Sequence, residues 1–185
     1  MNICIFPGTF NPIHEAHIKI AEFALKHYGF DKIIFIPAYI PPHKEVNKEL
    51  AGDRFNMVKL AIENNARFEI SDIEYKSAMK SYSVITVKKI KEMYDIKGSV
   101  NFIIGTDAFA EIKTWFHTEE LAKLVHFIVF PRGVQINKDD YREYDFEIAE
   151  MEFIDISSTE IRNKNEGELN LKVKEYINEH GLYKD

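Results

Sequence analysis

This sequence predicts an α/β fold: a Rossmann-like doubly wound parallel sheet of about five strands with flanking helices. Three observations carry that prediction. Short β-rich runs alternate with amphipathic stretches along the 185 residues, the pattern of successive βαβ units. The first such run breaks at Pro7-Gly8 just before a helical pattern starts. No apolar run approaches ~18 residues, and no repeat or low-complexity segment intervenes.

The strand candidates are Asn2–Phe6, Lys32–Pro37, Phe68–Ile73, Val100–Ile104 and His126–Phe130. Between them Ile18, Ala21, Leu25 and Tyr28 recur at helical spacing, as do Phe55, Val58, Ala61 and Ile62, then Val84, Val87, Ile90 and Tyr94. These stripes read as core faces. A further helix is expected over Thr118–Leu124, and a last one over about Leu171–His180, ended by Gly181, which accepts the left-handed conformation of a helix stop. Two stretches lack regular patterning. One is the loop Ala38–Gly52 with its Pro41-Pro42 pair, and the other is the polar segment Gly133–Tyr144, read as a mobile excursion.

Length and composition bound the function. With 185 residues and 45% hydrophobic content, the chain suits one domain, 1–185, with a substantial core. A net charge of −6 argues against nucleic-acid or membrane-surface partners, because no basic stripe could release counterions or attract lipid. Small-molecule substrates and a cytoplasmic location are the expectation, there being no leader-like or membrane-spanning pattern. The lone Cys4 lies in the first strand and reads as a buried structural thiol.

The chemistry is concentrated where the first strand turns into the first helix. Gly8 lets backbone approach a ligand, the helix start aims free amides at the same spot, and such a start binds anions. His14 and His17, three residues apart, would lie one turn apart on nearly one face, so both rings could meet one phosphate group. Neither a G-x-x-x-x-G-K-[ST] loop nor a G-x-G-x-x-G fingerprint is present, which leaves a different kind of phosphate turn. The fourth strand should deliver Gly105-Thr106-Asp107 to the same edge, with Asp107 as a ribose or metal contact or as a helix cap. Ser157-Ser158-Thr159 could simply cap a helix, but a cap does not need Arg162, whose fork suits phosphate.

Gly8-Thr9-Phe10-Asn11-Pro12-Ile13-His14 through His17 resembles the GTFDPxHxGH signature of the nucleotidyltransferase superfamily, and Ile156-Ser157-Ser158-Thr159-Glu160-Ile161-Arg162 resembles its ISSTxIR motif. Pro41-Pro42-His43-Lys44 is similar to the PPHK segment of bacterial nicotinate-nucleotide adenylyltransferases. Ser81-Tyr82-Ser83-Val84-Ile85-Thr86 is similar to SYTxDT, Ile104-Gly105-Thr106-Asp107 through Trp115-Phe116 to IGADxxxxLPxWY, and Val173 through Tyr183 to the VxxYIxxxGLY ending. The resemblance implies transfer of an adenylyl group from ATP to nicotinate mononucleotide, with Mg²⁺ as cofactor and no side-chain metal set. It implies His14, His17 and Arg162 as catalytic residues. ATP would be bound by Gly8, Thr9, Phe10, Gly105, Asp107, Ile156, Ser158 and Thr159, together with those three. The acceptor would meet Phe10, Asn11, Lys44, Ser83, Thr86, Trp115 and Phe116, with Trp115 an exposed ring stacking on the pyridine.

Four departures fall near that acceptor pocket: Ala38 for the usual Asn, Ser83 for Thr, Ile85 for Asp, and Phe116 for Tyr. Ser83 keeps a hydroxyl, while Ala38 loses a side-chain amide whose contact would pass to Tyr39. Asn11 for Asp removes a negative charge beside the phosphates. Nicotinamide mononucleotide or 4′-phosphopantetheine as acceptor, or a non-catalytic nucleotide-binding sensor, are the alternatives. Oligomeric state, a homo-oligomer included, is not legible in the chain.

Overall fold

The computed structural model describes residues 1–77, 80–164 and 168–184. Its strands are β1 (Ile3–Gly8), β2 (Lys32–Pro37), β3 (Phe68–Ile70), β4 (Val100–Gly105), β5 (Val125–Phe130) and β6 (Asp145–Ile148). All neighbours pair in parallel, in the order β3-β2-β1-β4-β5-β6. The connections run outward from β1 one way and from β4 the other, so the strand order reverses between them. The crevice beyond their carboxyl ends is where such a sheet binds ligands.

Alternate residues of each strand feed opposite faces. Cys4 and Phe6, Ile33 and Phe35, and Ile103 and Ile128 pack on one face against α1 (Glu15–His27), α2 (Ala51–Ile62) and α7 (Leu171–Glu179). Ile3 and Ile5, Ile34 and Ile36, and Phe102 and Phe127 pack on the other against α3 (Ser83–Met93), α4 (Thr106–Ala110) and α5 (Thr118–Ala122). Burial on both faces is why the strands read as continuous apolar runs. The remaining helix is α6 (Ser158–Lys164), which follows an irregular segment after β6.

The sheet has six strands rather than about five. β6 lies outside the expected set because it is a short edge strand whose residues are half-buried or exposed, so hydrophobicity gives little sign of it. β3 stops at Ile70, short of Ile73: Ser71 makes the last bond to β2, its N–H donating to the Phe35 carbonyl, and its Oγ then accepts the Ile73 amide at 3.3 Å, which turns the chain. The Gly133–Tyr144 segment is not a free excursion. It contains a 3-10 turn at Lys138–Tyr141, the Tyr141 hydroxyl donates to the Ala110 carbonyl, and Tyr144 is buried. The buried stripe of α2 is Ala51, Arg54, Met57, Val58 and Ile62, whereas Phe55 and Ala61 are only half-buried. The last helix ends as expected, with Gly181 at φ +61.

Candidate active site

Beyond Gly8 the chain leaves the sheet and turns, with Phe10 at φ +49, to bring His14 to the start of α1. His14 is the N-cap residue and His17 lies three positions on, so their rings come together as expected, stacked at 3.8 Å between centroids. The Nδ1 of His17 accepts the backbone N–H of His14 at 3.1 Å. Neutral His17 therefore carries its proton on Nε2, which is left as a donor. Both ring nitrogens of His14 are buried without a protein partner among the described residues. Burial, and then the Arg132 charge, lowers His14 to about 3. Burial, and then His14, Arg132 and Lys44, holds His17 well below the ordinary imidazole range. Both rings are neutral at physiological pH, and the positive charge of the site comes from elsewhere.

The helix start itself differs from expectation. Its first amide, that of Glu15, donates to the Glu168 carbonyl at 3.0 Å, and that of His17 to the His14 carbonyl at 3.0 Å, so these amides are not free for an anion. The space that glycine leaves at position 8 is taken by the Phe10 ring, 2.7 Å from where a Cβ would stand, so Gly8 serves packing. Phe10 is buried and stacks edge-on to His17, which supports the imidazole rather than presenting an aromatic face to a ligand.

The far end of the chain closes over this turn. Ser158 Oγ donates to the Pro12 carbonyl at 2.8 Å, and Arg162 Nη1 donates to the Asn11 carbonyl at 2.6 Å. Arg162 Nη2 reaches Thr159 Oγ1 at 3.2 Å, and the Tyr183 hydroxyl donates to Asn11 Oδ1 at 2.5 Å. Asn11 is thus held at both its carbonyls. Ser157, not Ser158, caps α6 by accepting the Glu160 amide. Arg162 has five N–H donors, and these bonds leave part of its fork free for phosphate.

Across the crevice, Gly105 is the N-cap of α4 and Asp107 lies inside the helix, so Asp107 is not the cap. Asp107 faces Arg132, with Oδ2 3.6 Å from Nε. A Cβ on Gly105 would stand 2.6 Å from the Asp107 carboxylate and 3.3 Å from Arg132, so this glycine makes room for that pair. The Arg132 amide is fixed by Thr106 Oγ1 at 2.7 Å. His14, His17, Ile20, Phe130, Arg132 and Met151 line a cleft that also includes Ile156, bringing that residue beside the histidines.

Residues 5–164 match the family described as Cytidylyltransferase-like. The chain is 41% identical over 187 residues to a protein of Fusobacterium nucleatum named "Probable nicotinate-nucleotide adenylyltransferase", with 96% of this chain and 97% of that one covered. It is 40% identical to a protein of the same name from Caldicellulosiruptor saccharolyticus, with both chains covered in full. The chain belongs to the nicotinate-nucleotide adenylyltransferase family. Its fold matches that of Plasmodium falciparum nicotinic acid mononucleotide adenylyltransferase complexed with NaAD, at a TM-score of 0.82 and 23% identity over 98% of this chain and 97% of that one.

The segments that resemble the family's acceptor side are more open. Lys44 lies exposed on the loop after β2; its ammonium is lowered by desolvation and by Arg132, with Asp107 opposing and Arg162 adding to the lowering. Lys44 therefore shares one positive field with both arginines. Trp115 is half-buried rather than a free ring: it stacks over His43 at 6.0 Å and tilts against Phe102 at 6.4 Å. Phe116 is exposed and stacks on Tyr82 at 4.3 Å. Ser83 opens α3, and no bond of its hydroxyl occurs among the described residues. The structural hydroxyl is that of Ser81, which accepts the amides of Tyr39 and Ile40 at 3.0 and 3.2 Å. Thr86 is buried and donates to Glu74 at 2.8 Å, so its hydroxyl is committed within the protein. Burial raises the Glu74 carboxyl, against the lowering effect of Ser81 and Thr86. Ala38 keeps a backbone role, its amide bonded to the Gly8 carbonyl at 2.8 Å.

Arg54, Glu74 and Arg132 were not among the residues singled out in the sequence, and Ser81 stood there only as part of the motif in which Ser83 was given the role. Arg54 did leave a trace, since it interrupts the apolar stripe of α2 at a core-facing position. Arg132 sits at the end of the fifth apolar run between Pro131 and Gly133, the same kind of strand exit that made Gly105-Thr106-Asp107 conspicuous.

Proposed function

We propose that this chain transfers the adenylyl group of ATP to nicotinate mononucleotide, giving deamido-NAD and pyrophosphate. A phosphate oxygen of the acceptor attacks the α-phosphorus, the bond from that phosphorus to the bridging oxygen breaks, and pyrophosphate leaves with the electron pair. The attacking oxygen is already anionic near neutral pH, so no side-chain nucleophile is needed. The protein's part is to hold the two phosphates in line and to offset charge on the equatorial and leaving oxygens.

The observation that carries this reading is the neutral, stacked His14–His17 pair set in the field of Arg132, Lys44 and Arg162 at the strand-order reversal. Neutral imidazoles donate hydrogen bonds to α-phosphate oxygens without trading protons with them, and the fixed cations supply the potential. His14, whose ring nitrogens have no protein partner among the described residues, and His17, with Nε2 left as a donor, are assigned to the α-phosphate. Arg162, with Ser158 and Thr159 beside it on α6, is assigned to the outer phosphates, while Gly105 and Asp107 border the nucleoside. Trp115, Phe116 and Lys44 are assigned to the acceptor, and Asn11 and Thr86 hold the walls between. Among the described residues no three His, Cys, Asp or Glu side chains converge as a cation site. Mg²⁺ would arrive with the triphosphate, with Asp107 the carboxylate nearest that edge, and it would offset phosphate charge. The names of the relatives at about 40% identity support the nicotinate acceptor. No helix among the described residues is long and apolar enough to cross a membrane; the reading places the protein in the cytoplasm with ATP and nicotinate mononucleotide as its small-molecule partners.

The test is pyrophosphate release with ATP and Mg²⁺ and, separately, nicotinate mononucleotide, nicotinamide mononucleotide or 4′-phosphopantetheine. Turnover preferring the nicotinate form is the expected result. Preference for another acceptor would overturn the roles of Lys44 and Trp115, and turnover with none would favour a nucleotide-binding sensor.

A further inference from the structure

We propose that Arg54 is a positioning residue for this transfer: its buried guanidinium sets the spacing between the ATP-side turn and the acceptor-side loop. The inference rests on the adenylyltransferase reading above and adds a residue to it.

Arg54 is fully buried on α2. A guanidinium there remains charged, and burying it is costly unless every donor is directed at a partner. Among the described residues no carboxylate lies within ion-pair distance of it. Its partners are three carbonyls drawn from two segments, while Nε is buried without a partner among the described residues. Nη1 donates to the Thr9 carbonyl at 2.8 Å and to the Ala38 carbonyl at 2.6 Å, and Nη2 donates to the Tyr39 carbonyl at 3.1 Å.

The placement of those carbonyls gives the interaction its meaning. β1 and β2 run in register as far as Gly8 and Pro37, and the Ala38 amide still reaches the Gly8 carbonyl. Beyond that point the chains part. One goes through Thr9 to His14 and His17, the other through Tyr39 to Lys44. Arg54 bonds to both just after they separate, with one nitrogen straddling the gap. The planar fork fixes the angle between its N–H bonds, so it holds a separation that a flexible ammonium could not. An in-line attack is sensitive to that separation, because a displacement of about 1 Å can cost on the order of 100-fold in rate.

The test compares wild type with Arg54→Lys and Arg54→Met, each first checked for folding by circular dichroism. Binding-competent sites are counted by titration with a non-hydrolysable ATP analogue, so that kcat refers to folded molecules. For Arg54→Lys we expect kcat to fall by roughly 100-fold while the KM for ATP stays within about 3-fold, since the charge remains but the fork does not. A kcat per competent site within about 2-fold of wild type would overturn the proposal, because displacement of the acceptor could not then be large. So would failure of both variants to fold, which would make the guanidinium a residue of the fold alone. Should wild type turn over none of the acceptors, the adenylyltransferase reading itself fails. Arg54 is then judged by whether nicotinate mononucleotide tightens binding of the ATP analogue in wild type and not in Arg54→Lys; equal behaviour of the two would overturn it.

Discussion

The two halves of the crevice are built differently. On the side assigned above to ATP, His14, His17, Phe10 and Asn11 are buried, and the turn that carries them is bonded to α6 and to Tyr183. On the side assigned to the acceptor, Lys44, His43 and Phe116 are exposed, and the loop after β2 is held chiefly by Ser81 and Arg54. The difference separates two tasks. Charge on the α-phosphate has to be met by donors that do not move, whereas a whole mononucleotide has to enter and leave past the acceptor loop.

The largest effect expected from breaking this asymmetry is on the buried side. His17→Ala should lower kcat by about 10²–10³-fold, the range for losing one fixed donor, with a loss of ATP-analogue affinity of about 10-fold or less. Steady-state pyrophosphate release and calorimetric titration measure the two. Loss of affinity and turnover in equal measure would mean that the ring binds substrate and transition state alike.

Next in size is a pair of serines. Ser81→Ala removes the acceptor of two loop amides and should cost about 1–2 kcal/mol in a urea melt, whereas Ser83→Ala should stay within about 0.5 kcal/mol. A reversed order would mean that Ser83 rather than Ser81 carries the structural hydroxyl of this segment.

Trp115→Ala should act on the open side alone. We expect the acceptor KM to rise by about 5–10-fold, the scale of one aromatic stack with its buried area, while the KM for ATP is unmoved. A change in the KM for ATP of the same size would show that Trp115 supports both halves.

The smallest effects are those of pH, and their signs differ between regions. His14 is lowered to about 3 in the folded chain. Between its unfolded value, about 6.5, and that value the unfolded chain binds more protons, so stability is complete above this window and falls as pH drops through it, by about 1 kcal/mol near pH 5.5. His126 behaves oppositely. Desolvation lowers it, but its bonds to Glu147 and Asp145 at 3.0 Å outweigh that and raise it overall. Its contribution is present below the unfolded value and lost as pH rises through the folded one, and it should amount to a few tenths of a kcal/mol at this partly exposed edge. Chemical denaturation across pH of wild type, His14→Ala and His126→Ala would separate them.

Much of the ATP half was legible because its residues are adjacent in sequence. His14 and His17 are fixed relative to each other by helix geometry alone, and Gly105 to Asp107 follow directly from the end of an apolar run. Arg162 stood out through its chemistry. What stayed hidden depends on partners far away in the chain. Arg54 shows locally only as a break in the stripe of α2, and nothing local tells that its fork reaches Thr9, Ala38 and Tyr39, that Thr86 spends its hydroxyl on Glu74, or that Ser81 holds Tyr39 and Ile40. The free helix amides were a reasonable inference from the local turn, but Glu168, supplied by a remote segment, takes one of them. β6 was missed for the opposite reason: it is local, but its edge position leaves it without an apolar signature.

The bonds that close over the phosphate turn span 146 residues from Ser158 to Pro12, 151 from Arg162 to Asn11 and 172 from Tyr183 to Asn11. Contacts of that separation carry a high chain-closure cost. During synthesis the first strand and its histidines emerge long before the segment that completes their surroundings. Nucleotide binding in this protein is therefore a property of the finished chain, and a substrate analogue that stabilises the crevice should slow global unfolding rather than merely rigidify a loop.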